Sequence, residues 1–249
     1  MASPDSPLAP RQARSRATAE ALVAATIKIL ESGGLDAALI PDIAEAARVA
    51  PASVYRRFAD KDALLRAAFL QVLRRSHEAN RERAWGQVLG ASLREAAAGV
   101  VELCFQQYRT MPGTVAALER FLETDADPDF VREARALLRA NIELIVDALL
   151  VYCRELAHVP SKKVVRFAAF HCGSSAQLYM RVKLRDPQAL WHGEPRMSEA
   201  EFARFLAHSL VTFLEHPPKH PAKHPPYPRG RVLPTTGTRA VRKKARESP

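Results

Sequence analysis

Apolar residues recur every three or four positions along most of the chain, and nowhere do they alternate with polar ones for long enough to predict a strand. From Ala17 to about Glu215 this spacing predicts nine helices. The first, about 17–32, places Ala21, Leu22, Ala25 and Ile29 on one side and ends at Ser32-Gly33-Gly34, where one glycine takes a left-handed C-cap. Two short helices follow, about 39–47 and 51–58, joined by a turn of three or so residues. Asp60 offers an N-cap to a longer helix that carries Leu64, Leu65, Ala68, Phe69 and Val72 and runs to about Ala84. Longer amphipathic segments come next, at about 87–109, 112–123, 128–157, 161–184 and 198–215. Asp127 before Pro128, and Ser198 with Glu201 three residues on, mark helix starts, the second as a capping box. The pattern predicts an all-α chain.

The two short helices hold the most specific arrangement. Val54 and Phe58 stand four apart and share a face, which with Ile43, Ala44 and Ala47 makes a seam between the pair; the small alanines permit close approach. Fixing that seam turns Ala52, Tyr55 and Arg56 outward and leaves Ser53 and Arg57 at the edge. Two short helices, a tight turn and a flanking helix on each side describe a helix-turn-helix. The outward arc is the one that meets a major groove.

The run "IPDIAEAARVAPASVYRRFADKDALLRAAF" resembles the N-terminal domain of TetR-family transcriptional regulators. The family's usual run has an Ile-Ala pair, an Ala-Gly-Val turn, Ser/Thr-Leu/Val-Tyr, Phe, Lys and Leu-Leu. Ile43, Ala44, Ala47, Val49, Ser53, Val54, Tyr55, Phe58, Lys61, Leu64 and Leu65 match it in register. The resemblance implies an N-terminal three-helix helix-turn-helix domain at residues 16–76 with its motif at 39–58, then a helical effector-binding and dimerisation domain at 77–216. It implies that Tyr55 and Lys61 meet phosphates of a double-stranded DNA operator, that Ser53 and Arg57 join them, and that Pro51, Ala52 and Arg56 lie nearest the bases. Arg48 stands where the family has Gly in the turn, and adds a phosphate contact there. Ala38 stands where the family has a Thr N-cap, with Pro41 in the first turn.

Charge sharpens the picture by its placement. The formal net charge is +10, yet the tail 217–249 holds nine Lys or Arg against one acidic residue, and the first 16 residues hold three Arg against Asp5. Residues 17–216 are therefore neutral as a whole, and the body's DNA reading rests on local geometry. The arm 1–15 and the Pro-, Lys- and Arg-rich tail 217–249 are expected to be disordered. Within the tail, Pro228-Arg229-Gly230-Arg231-Val232 resembles an AT-hook core, a minor-groove element. No apolar run spans a bilayer and the N-terminus lacks the apolar stretch of a secretory signal, so a cytoplasmic protein without membrane contact is expected. Cys104, Cys153 and Cys172 have no paired spacing and are expected in the core.

A helix-turn-helix monomer covers one half-site, which predicts a homodimer. Residues 161–184 and 198–215 resemble the family's last two helices, and Ala168, Ala169, Gly173, Ser174 and Ala176 thin the first of them for close approach, either to a partner or to helices of the same subunit. The resemblance also implies a pocket for a small-molecule effector. Leu103, Phe105, Tyr108, Met111, Phe121, Leu138, Ile142 and Ile145 are the candidate lining, with Arg135, Asn141, His171 and Gln177 for polarity. No phosphate loop, nucleophile elbow or His-Glu-x-x-His occurs, so neither catalysis nor a cofactor is expected. His216, His220 and His224 are separated by prolines that prevent their alignment on a helix, so no metal site is expected. The reading is a DNA-binding regulator, of the repressor type common in the family. The alternatives are a helical small-molecule-binding protein that no longer reads DNA, and a metal-handling protein acting through its tail.

Overall fold

A computed structural model describes residues 8–87, 92–125, 127–184 and 195–217 of the chain. Among these, nine helices run in order: α1 Leu8–Ala37, α2 Ile40–Ala46, α3 Ala52–Tyr55, α4 Lys61–Gln87, α5 Leu93–Thr110, α6 Pro112–Thr124, α7 Pro128–Cys153, α8 Lys162–Leu184 and α9 Glu199–Glu215. The punctuation acts as the residues predict. Asp60 Oδ1 accepts from the Ala63 amide, Asp127 Oδ1 accepts from Asp129 and Phe130, and Ser198 and Glu201 form a reciprocal capping box. No described helix is long and apolar enough to cross a membrane.

The first helix departs from the pattern at both ends. It begins at Leu8, inside the stretch expected to be disordered. Gln12, Ala13, Arg14 and Arg16 are good helix formers, but they are exposed, so no apolar period betrays them. At the other end Gly34 has φ 69° and ψ −163°, a conformation open essentially to glycine alone, after which one more turn runs to Ala37. The rest of the arm, residues 1–7, and the tail from 218, with its AT-hook-like run and His220 and His224, lie outside the described residues.

Packing joins the N-terminal helices to the middle of the chain. Leu22, Leu30, Ile43, Val54, Leu64 and Phe69 are buried in one cluster that also takes Phe121 from α6 and Phe130 from α7. The Phe69 and Phe121 rings lie 5.2 Å apart and those of Phe121 and Phe130 5.6 Å apart. The reading head thus completes its core with residues of α6 and α7. A second cluster holds Val100 and Phe105 of α5, Leu149 and Cys153 of α7, Met180 of α8 and Leu214 of α9. All three cysteines are free, and burial pushes the Cys153 thiol up to about 11.

Polar clamps reinforce the junction. Glu31 of α1 accepts from the Gly113 amide at 3.2 Å and from the Thr114 amide and hydroxyl at 2.9 Å each, capping α6 with a carboxylate. Arg66 of α4 grips Asp125, just past α6, through two hydrogen bonds of 2.7 and 3.0 Å. The Asp125 side chain is only 4% exposed. The Arg66 hydrogen bond holds its carboxyl below the usual carboxylate range. A depressed folded-state value gives stability that is complete above the unfolded-state value of about 4 and is lost as pH falls through the folded one. The wild-type protein is therefore expected to lose stability below about pH 4 more steeply than Asp125→Asn. Urea midpoints between pH 2.5 and 6 check this; parallel curves would contradict it.

Candidate nucleic-acid interface

The reading head is built on a seam with almost no exposed surface. Ile43 and Ala44 of α2 and Val54 of α3 are each 0% exposed, and Ala47, Val49 and Phe58 pack half-buried against the same cluster. Leu39 is the N-cap of α2 and gives no side-chain hydrogen bond; Pro41 sits in the first turn, and Ala38 is buried in the core. The α2 C-terminus closes with paired bonds of 2.9 Å, Val49 amide to Ala44 carbonyl and Arg48 amide to Glu45 carbonyl. That pairing is a Schellman motif, which wants a residue of positive φ at Arg48.

Arg48 supplies φ 56° despite its Cβ. The left-handed conformation costs a non-glycine residue about 1–2 kcal/mol, of which glycine's extra unfolded-state freedom returns about 0.5–1. Arg48→Gly is expected to stabilise the protein by about 0.5–1 kcal/mol, read as a rise in the urea midpoint. A fall would mean that the exposed Arg48 side chain contributes more than its backbone costs.

Helix α3 is shorter than the expected 51–58 span, ending at Tyr55, although the Phe58 amide still reaches the Val54 carbonyl at 2.9 Å. Its outward residues stand as the seam requires. Pro51, Ala52, Tyr55 and Arg56 are exposed, Tyr55 by 60% and with no hydrogen bond among the described residues. Three expected contacts sit differently. Ser53 is 8% exposed, and its hydroxyl accepts from Arg56 Nη2 at 2.8 Å. Arg57 spends its guanidinium on the protein, donating from Nε to the Ser15 carbonyl at 3.2 Å and from Nη1 to the Ser53 carbonyl at 3.1 Å. It ties the end of α3 to the unexpected N-terminal part of α1. Lys61, half-buried, lines a cleft whose walls also carry Asp36, Asp62, Asp125 and Asp127.

The family model described as bacterial regulatory proteins, tetR family, matches residues 22–68. This is a TetR-family domain. The whole fold is shared as well. A Mesorhizobium loti protein assigned to the TetR family superposes with TM-score 0.59 at 20% identity, over 81% of this chain and 96% of that one. FadR of Bacillus subtilis, solved with stearoyl-CoA, gives 0.53 at 15% identity over 78% and 96%; a TetR regulator of Rhodococcus sp. RHA1 gives 0.51 at 17% over 83% and 100%. No curated protein sequence matches significantly.

Behind the TetR-family domain, the expected effector lining disperses. Phe105 is core, edge-on to Tyr179 and Phe202, while Phe121 belongs to the head's cluster. Leu138 packs against that same cluster, and Ile142 and Ile145 pack against the other. Arg135 is exposed, the Asn141 amide oxygen pairs with His77 Nδ1 at 2.9 Å, and Gln177 donates to Glu119. Tyr108 borders a narrow crevice, and burial raises its pKa. His171 is exposed on α8 and stacks on Phe167.

Leu103 and Met111 alone converge on a shared cavity, of about 220 Å³, bounded by α1, α4, α5 and the start of α6. Its other walls include Val72, Arg75, Gln106 and Val115. The sequence pattern missed Arg75 and Gln106, because a polar residue on a long amphipathic helix reads as solvated; the adjacent Gln106-Gln107 pair, set between Phe105 and Tyr108, was the available hint.

The last two helices present an aromatic face. Phe167, Phe170 and Leu178 of α8, at one-face spacing, and Phe205 of α9 are each more than half exposed. Ala168, Ala169 and Ala176 point the other way, into their own subunit's core, so the small residues thin α8 against its own neighbours. Among the described residues no cluster of His, Cys, Asp or Glu has the makings of a metal site.

Proposed function

We propose that the protein is a homodimeric, sequence-specific repressor that works on chromosomal DNA in the cytoplasm and leaves its operator when a small molecule binds. The observation that carries this reading is α3: held by a fully buried Val54, it offers Tyr55, Arg56, Ala52 and Pro51 to solvent and none of them to the core. Arg56 reads a base, Tyr55 and Arg48 meet phosphates, and Lys61 adds charge beside the start of α4.

The exposed Phe167, Phe170, Leu178 and Phe205 support dimerisation through α8 and α9 as a four-helix bundle, since monomeric proteins seldom leave so much aromatic surface to water. An effector in the cavity next to α1 and α4 stands directly on the head, so ligand-induced displacement there changes the separation of the two heads. The stearoyl-CoA of the Bacillus subtilis FadR is not carried over to this chain, whose cavity next to the head has a volume of about 220 Å³.

Footprinting on the DNA flanking the gene tests the reading. It predicts a protected, near-palindromic site whose half-sites lie about one helical turn apart, 34–36 Å, or a multiple of it. Uniform protection without a preferred site would refute it.

A further inference from the structure

The cavity next to the head carries its own specification of what fills it. Its floor is apolar, with Leu103 6% exposed and Val72, Met111 and Val115 half-buried around it. Six of its twelve lining residues are polar, namely Arg75, Ser76, Asn80, Gln106, Gln107 and Thr110, and two of them stand out. Gln106 on α5 has its Oε1 buried with no hydrogen-bond partner, an acceptor left without a donor. Arg75 on α4 is exposed, makes no ion pair among the described residues, and faces a cavity that no carboxylate lines.

The larger cleft of about 580 Å³ beside Arg66 does not compete. Its walls carry four carboxylates, Asp36, Asp62, Asp125 and Asp127, against Lys61 and Arg66, and Arg66 is already held by Asp125 and Asp127.

Resting on the effector reading above, we infer that this cavity takes a compact amphipathic anion: an apolar body with a carboxylate for Arg75 and a hydroxyl or N–H donor for Gln106 Oε1. A cavity of about 220 Å³ suits a compact ligand, one ring with a short acidic chain. A donor-bearing ligand satisfies an oxygen that no group of the protein reaches, and a neutral apolar compound gains neither that bond nor the guanidinium. The ligand also wedges between α4, which belongs to the head, and α5 with the start of α6.

Calorimetry on the full chain without DNA tests this with three probes: 4-hydroxyphenylacetate, its methyl ester, and phenylacetate. The free hydroxy acid is expected to bind at least about tenfold more tightly than the ester and several-fold more tightly than phenylacetate. Arg75→Gln, at an exposed position, should abolish the preference for acid over ester. Gln106→Leu should abolish the preference for the hydroxylated acid. Equal binding of acid and ester, a ratio untouched by Arg75→Gln, or no probe binding more tightly than about 1 mM would overturn the inference. The readout is independent of the operator, so a protein that binds the acid yet holds its DNA unchanged refutes effector release and leaves the anion site standing.

Discussion

Gly113→Ala will destabilise the protein, although alanine is the better helix former. On propensity alone the exchange inside a helix is worth about 1 kcal/mol in alanine's favour. Here a Cβ at Gly113 would lie 2.1 Å from the Glu31 carbonyl oxygen and 2.7 and 2.8 Å from two further backbone atoms of the same residue. Backbone cannot swing aside as a side chain does, so α1 and α6 must part. Their separation also loosens the three bonds that the Glu31 carboxylate accepts from Gly113 and Thr114. Overpacking costs about 1–3 kcal/mol and each stranded donor about 1–3 more, so a net loss of about 3 kcal/mol or more is expected. For a chain of this size that is a fall in Tm of about 6–12 °C, readable by circular dichroism. An unchanged or higher Tm would mean that α1 and α6 are not locked together.

Arg56→Ala is expected to have the largest effect on DNA binding. In the free protein its guanidinium donates to the part-buried Ser53 hydroxyl three residues back, a single bond to a neutral group that costs about 1 kcal/mol to release. Against DNA a bidentate arginine–guanine pair is worth about 1–3 kcal/mol, and a symmetric dimer makes it twice. The loss is then about 2–6 kcal/mol, roughly 30-fold to 10⁴-fold in operator affinity, with little loss in nonspecific affinity. Arg57 provides the contrast: because it already bridges α3 to Ser15, its removal should loosen the head more than it relaxes specificity.

Much of this was legible because the chain writes its helices in apolar spacing and its boundaries in Asp, Ser, Gly and Pro. The Ile43-Ala44-Val54 seam is a local pattern, so the residues that face outward follow from it by elimination. Two kinds of feature escaped. The start of α1 is a helix without an apolar face, and a method that reads apolar period is blind to it. The cavity is a tertiary object: Leu103 and Met111 were on the expected face, but their companions come from α1 and α4, which local pattern cannot bring into register with α5. Spacing put Ser53 and Arg57 at the edge of the outward arc and the resemblance gave them phosphate contacts, but hydrogen bonds to a group 42 residues away or within their own turn hold them against the protein.

The most direct test of the account is a fluorescence titration of the full-length protein against the footprinted duplex and a scrambled duplex of the same length, for wild type, Tyr55→Ala and Arg56→Ala. The account predicts that the wild type prefers its site by about 10³ or more and that both variants bind the site much more weakly, Arg56→Ala approaching its affinity for the scrambled duplex. Variants that bind the footprinted site as tightly as the wild type would contradict it.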